Sequence, residues 1–269
     1  MSPPGGDGEI EWRRLRADQL REMAARDAVV ILPLGSIEQH GPHLPVEVDS
    51  RLGEEVALRT ARVMAGRGQP VLVLPMFWPG VSEHHMSFGG TITLGFATYQ
   101  AVVEDICRSV VRAGFRRIVL LNGHGGNENG LRVITDELTP KLGVPIVQFT
   151  YWYAASDAIA TILETQKGLL HACEAETAMM MAVRPELVAE DRIGMAKVNY
   201  TPDVSDVVGE GVYRWRAIGA RSASGVIGNP DAASPTKGTR LFEAVAATLA
   251  DKLGNAELWT LPWDAERLT

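Results

Sequence analysis

The chain has 269 residues, 46% of them apolar and 22% charged, a composition that supports one large packed core and excludes disorder for the bulk. A formal charge of −7, a pI near 5.4 and the lack of any basic cluster exclude a nucleic-acid binder, because phosphate contacts need concentrated positive surface. No apolar run nears the ~18 residues of a membrane span, and two cysteines, Cys107 and Cys173, make no disulfide framework.

In chain order, residues 1–8 are rich in Pro and Gly without a hydrophobic region, so they read as a loose tail and not a signal peptide. The expectation is a cytoplasmic protein with a single domain over residues 9–269. Ala28–Leu34 is a continuous apolar run of the kind a fully buried strand shows, and Val71–Leu74, Ile118–Leu121 and Pro145–Thr150 are three more. Between them, Thr98–Ala113 carries Val102, Val103, Ile106, Val110 and Val111 at helical spacing, closed by Gly114; Asn129–Leu142 and Leu241–Leu253 share that period. Strand and helix in alternation predict an α/β layered fold with a mostly parallel sheet. Residues 198–236, rich in Gly, Ser and Pro, read as long loops or short strands.

In such folds ligands gather beyond the carboxyl ends of the strands, and the chemistry-bearing residues cluster there. After the first run, Glu38, His40 and Asp49 lie within twelve residues, on a segment that Gly41-Pro42 and Pro45 keep from forming a regular helix. An irregular loop can turn carboxylate and imidazole inward together, as a metal site requires; the ordinary alternative is a solvated loop with helix-capping acids. After the third run comes Asn122-Gly-His124-Gly-Gly-Asn127, where glycines leave room for a ligand. A phosphate cradle is the other reading, and the spacing matches neither GxGxxG nor a Walker loop.

The third cluster is His171-Ala-Cys-Glu174-Ala-Glu176-Thr. If helical, Glu176 shares a stripe with Cys173, Met179, Met180 and Val183, and a carboxylate buried there needs a partner or a metal. His171 and Glu174 then share a neighbouring face. The alternative is a helix N-terminus with acids favoured by its dipole. Cys107 and Cys173 read as core residues. His84 and His85 in Ser82–Thr91 are candidates for a substrate or supporting contact, against the commoner explanation of a surface pair. There is no GxSxG elbow.

Glu38-Gln-His40-Gly-Pro-His-Leu-Pro with Asp49, Asn122-Gly-His124-Gly-Gly-Asn127, and His171-Ala-Cys-Glu-Ala-Glu176-Thr, in this order, resemble the creatininase (creatinine amidohydrolase) family. The loop His84-His85-Met-Ser-Phe-Gly-Gly-Thr-Ile-Thr-Leu94 is similar to a further stretch of that family, and the likeness runs from about residue 28 to 185. The resemblance implies a three-layer αβα sandwich, two divalent metal ions per subunit (Zn, Mn or Fe) and a homo-oligomer, commonly a hexamer. It makes Glu38, His40, Asp49 and His124 metal ligands, with Asp49 the bridge, and gives His171 a part in proton transfer.

The chain departs from the creatinine hydrolases proper at two places. They carry a ligand Glu two residues after the motif histidine, where this chain has Gly126. A replacement carboxylate is needed: Glu176 is the preferred ligand, leaving Glu174 with His171 as the catalytic, proton-relaying pair. They also place a Trp shortly before the equivalent of His171, where Glu164–Leu170 has none, although Trp152 resembles one aromatic wall of their pocket.

The function so implied is metal-dependent hydrolysis of a non-peptide C–N bond in a small, cyclic or compact amide. Other substrates known in the family are formamides, a peptide of redox-cofactor maturation and cyclic sugar ketones. Two rival classes are a mononuclear Fe(II) enzyme using His40, Asp49 and His124, and a scaffold that has lost catalysis.

Overall fold

In the computed structural model, residues 8–196, 200–209 and 211–261 are described. The tail expected over residues 1–8 therefore lies, except for Gly8, outside the described residues. The elements in order are α1 (Ala17–Ala25), β1 (Val29–Leu34), α2 (Val48–Gly66), β2 (Val71–Val73), α3 (Phe96–Arg112), β3 (Arg117–Asn122), α4 (Glu128–Leu142), β4 (Ile146–Thr150), the short α5 (Tyr151–Ala154) and α6 (Ser156–Ala160), α7 (Glu174–Val183), the short α8 (Val204–Val208) and α9 (Pro235–Leu253). The four apolar runs are the four strands, and they form one parallel sheet in the order β2-β1-β3-β4. Each strand is long enough only to cross the core, with register Val29↔Arg117 to Leu34↔Asn122 between β1 and β3.

Period-two alternation splits every strand between two cores. Val29, Ile31, Val71, Val73, Val119 and Leu121 pack with α2, α7 and α9 on one face. Val30, Leu32, Leu72, Ile118 and Leu120 pack with α3 and α4 on the other. Because both faces are covered, the strands read as unbroken apolar runs, and the result is the expected three-layer α/β arrangement. Cys107 lies in the second core and Cys173 in the first, both free and fully buried.

The first layer is closest where α9 meets α7. A Cβ built on Gly238 would lie 1.9 Å from the Ala178 carbonyl oxygen and 2.9 Å from Ala182 Cβ. Backbone cannot yield as a side-chain tip can. We expect Gly238→Ala to cost about 1–3 kcal/mol of stability, read as a lower urea midpoint, and an unchanged midpoint would show that the helices separate freely. The segment read as loops is largely irregular, crossed by the isolated bridge Tyr200↔Ser222 and holding α8. Among the described residues, no helix is long and apolar enough to cross a membrane.

Candidate metal centre

The centre sits beyond the carboxyl ends of β1, β3 and β4, where the loops they feed converge. The loop after β1 carries Glu38 and His40, the first turn of α2 carries Asp49, the turn after β3 carries His124, and α7 carries Glu176. Asn122 fixes that turn: its Oδ1 accepts from the His124 amide at 3.0 Å and its Nδ2 donates to the His124 carbonyl at 2.8 Å. Asn127 ties neighbouring loops together, donating to the Gly35 carbonyl at 3.0 Å and accepting from the Val81 amide at 2.9 Å.

These loops bring five of the expected residues into two triads that share Asp49. Glu38, Asp49 and His124 form one, and His40, Asp49 and Glu176 the other, with the potential ligand atoms of each triad within 4.8 Å of one another. All five are buried. His124 Nδ1 lies 2.9 Å from Asp49 Oδ2 and 3.3 Å from Glu38 Oε2. His40 Nε2 lies 3.1 Å from Asp49 Oδ1 and 3.9 Å from Glu176 Oε2.

Donor chemistry tests whether this set fits cations. His40 Nδ1 is 3.1 Å from the Glu38 carbonyl, and His124 Nε2 is 3.1 Å from the Val81 carbonyl. A carbonyl only accepts, so each of these nitrogens donates, and a neutral ring must then turn the lone pair of its other nitrogen toward the carboxylates. Lone pair facing carboxylate is repulsive unless a cation lies between, and this backbone anchoring is how metal-ligating imidazoles are oriented. Asp49 Oδ2, close as it is to His124, is off the line of any N–H and receives no hydrogen bond. Among the described residues, no Lys or Arg pairs with Glu38, Asp49 or Glu176. The residues present fit a pair of divalent ions.

Protons take up the strain when cations are absent. Burial pushes the Glu176 carboxyl up to about 8 and raises Glu38 as well. Burial opposes a charge on His40, but Asp49, Glu176 and Glu38 outweigh it and raise the ring to about 9. His124 rises for the same reason, burial again opposing, with Glu38 and Asp49 responsible. Asp49 moves down because His40 and His124 overcome its burial. Metal binding at such a site displaces these protons.

His171 and Gln39 border the cluster. His171 Nε2 donates to the Gln39 carbonyl at 2.8 Å, which leaves Nδ1 3.6 Å from Glu38 Oε1. Ala172, with φ of +54°, reverses the chain, and its amide donates to Glu176 Oε2 at 2.5 Å. Helix α7 begins only at Glu174, so His171 and Glu174 do not share the helical face that their spacing suggested. The structure brings His171 to the centre and does not bring Glu174. The Glu174 carboxylate, fully buried, accepts from Lys237 Nζ, from the amides of Glu164 and Thr165, and from Thr165 Oγ1. It serves to pin the loop before His171 to the start of α9.

The histidine pair is not a surface pair. His85 is buried, with Nδ1 2.9 Å from Gln39 Nε2 and Nε2 3.2 Å from Glu38 Oε1. Gln39 Nε2 can only donate, so His85 carries its proton on Nε2 and directs it at Glu38. Gln39 was not a candidate from sequence; its place between Glu38 and His40 on an irregular loop was the available signal. His84 is half-buried beside His124, and burial together with His124 moves it down to about 4. A cavity of about 870 Å³ opens over the cluster, walled by Trp152, Tyr153, Leu170 and, from the irregular segment, Tyr213, Arg214 and Trp215.

A three-layer αβα fold with a carboxylate–imidazole cluster at the sheet's carboxyl edge places the protein among α/β proteins whose candidate metal site lies where such sheets gather their ligands. The chain belongs to the creatininase family of amidohydrolases: the family model described as creatinine amidohydrolase matches residues 13–253. It is 31% identical over 235 residues to a mycofactocin precursor peptide peptidase of Mycobacterium ulcerans, covering 86% of this chain and 85% of that protein. It is also 31% identical over 266 residues to a creatinine amidohydrolase of Pseudomonas putida, covering 91% and 95%. The crystal structure of a creatinine amidohydrolase (creatininase) superposes with a TM-score of 0.76 at 28% identity over 91% of this chain and 96% of that one. A manganese form of creatininase matches with a TM-score of 0.73 at 27% identity over 91% and 97%.

Proposed function

We propose that the protein is a two-metal amidohydrolase that cleaves a C–N bond in a small, compact amide other than creatinine. The observation that carries this reading is the pair of triads sharing Asp49, each with its histidine anchored to a backbone carbonyl. Glu38, Asp49 and His124 would hold one ion and His40, Asp49 and Glu176 the other; such ions supply Lewis acidity, polarising a carbonyl and making water nucleophilic at neutral pH. The chain's own groups do the rest. Hydrolysis adds water oxygen to the carbonyl carbon, breaks the C–N bond and leaves the nitrogen needing a proton. His171, with Nε2 committed to Gln39, has Nδ1 available to take the water's proton and pass it to that nitrogen. Trp152 and Tyr153 wall the space in which the amide lies, while the segment Glu164–Leu170 lacks the second Trp of the creatinine hydrolases.

The test is metal content by mass spectrometry together with hydrolysis of creatinine, an N-formyl amine and a short peptide. We expect two equivalents per subunit, and turnover of a compact amide that is lost on chelation and restored by Zn²⁺ or Mn²⁺. Activity that survives complete metal removal, or a single iron with oxygen consumption, would overturn the proposal.

A further inference from the structure

Five of the chain's six histidines have a polar partner. His40 and His124 donate to carbonyls, His43 Nε2 meets Thr177 Oγ1 at 2.8 Å, and His85 and His171 bond Gln39. His84 is the exception among the described residues. It makes only ring contacts, with centroids 4.3 Å from His85 and 5.7 Å from His124, the latter stacked at 20°. The ring lines the cavity, and one of its nitrogens lies within 4.8 Å of potential ligand atoms of Glu38 and His85. The half-buried ring is bonded by no protein group and opens onto the cavity, so a molecule that enters the cavity and displaces water can become its hydrogen-bond partner.

Room for the ring comes from Gly126. A Cβ there would lie 2.8 Å from His84 Cε1, 2.5 Å from His124 Nε2 and 2.1 Å from the Val81 carbonyl oxygen. Where the creatinine hydrolases resembled by this sequence carry a ligand Glu, this chain therefore accepts no side chain, and the imidazole of His84 closes that side of the centre.

We propose that His84 is a substrate-binding residue, its free ring nitrogen hydrogen-bonding a neutral polar group, amide or carbonyl, next to the scissile bond. Neutral is argued from the surroundings. Glu38, with a ligand atom within 4.8 Å of a His84 nitrogen, disfavours a carboxylate there, and the cationic side chains that line the cavity, Arg214, Arg216 and Arg221, all come from the irregular segment. A neutral imidazole offers one donor and one acceptor, which matches either half of an amide.

This inference rests on the two-metal reading, and the hydroxamate of N-acetylglycine is a probe that separates the two. Its hydroxamate head reports the metals, and its acetamide N–H and carbonyl, one carbon away, sit where the neighbouring group of a substrate would. Calorimetric Kd and metal content are measured on metal-loaded wild type, His84→Ala and His84→Gln. We expect wild-type metal content in both variants, binding about five- to tenfold weaker for His84→Ala, and His84→Gln within about twofold because its amide restores the bond. Equal binding by His84→Ala in a fully metallated protein would overturn the role of His84 alone. Loss of metal from His84→Ala would overturn it too, by making His84 a ligand. A wild type that holds neither metal nor probe would overturn the two-metal reading and this inference with it.

Discussion

Asp49→Asn should purify with less than one metal equivalent per subunit and lose amide turnover by at least ~10³-fold. Asp49 is the one residue common to both triads, its Oδ1 facing His40 and its Oδ2 facing His124. Asparagine keeps the shape and one oxygen but removes the charge and one ligating atom, so both ions are weakened together. His40→Gln provides the contrast, because it touches one triad only and should leave the Glu38–Asp49–His124 ion in place. A general loss of fold would mimic the result, so circular dichroism and Tm of the metal-free proteins are compared as well. Asp49 partners the raised His40 and His124 rings when no cation is bound, so metal-free Asp49→Asn should stay folded with a lower Tm than metal-free wild type. Two equivalents of metal retained by Asp49→Asn would contradict the shared-ligand geometry.

Much of this architecture is legible in the chain, for identifiable reasons. Strands covered on both faces must be apolar at every position, and Ala28–Leu34 and Ile118–Leu121 announce themselves that way. The candidate ligands of the first loop are legible because Gly41, Pro42 and Pro45 rule out a helix in which Glu38 and His40 would diverge. Glu176 stands out from Glu174 through its place on the stripe of Cys173, Met179 and Met180, and the structure buries it beside His40. What the sequence hides is where a helix begins. The i, i+3 argument for His171 and Glu174 assumes continuous helix, and the left-handed turn at Ala172 breaks it. His85 is hidden for a different reason: adjacent histidines in a loop look solvated until Gln39 and Glu38, distant by more than forty positions, close around the ring. The walls contributed by Tyr213–Trp215 have no periodicity at all, and the two ends of the segment that carries them are tied by long-range bonds such as Thr201 N to the Arg221 carbonyl at 2.7 Å.

The second large effect separates two glutamates that lie two residues apart. Glu176→Gln should lose metal from the His40–Asp49–Glu176 triad while the fold holds, since glutamine fills the same space and its oxygen still accepts from the Ala172 amide. Glu174→Gln should do the opposite, keeping both metals but losing stability. Its carboxylate neutralises Lys237, which is itself buried, and it accepts three further bonds that fix residues 164 and 165. Lys237 retains Glu164 at 2.9 Å, but that partner's side chain is 71% exposed and compensates weakly. A charge left buried with a poor partner costs about 2–3 kcal/mol, which in a chain of this size lowers Tm by about 4–8 °C. The mirror variant Lys237→Met removes the other half of the pair and should fall by at least as much, because it strands the fully buried carboxylate. Thermal unfolding and metal content on the three proteins decide the matter. If Glu174→Gln is as stable as wild type and yet catalytically dead, Glu174 reaches the substrate after all, and the anchoring of the His171 loop belongs to some other contact.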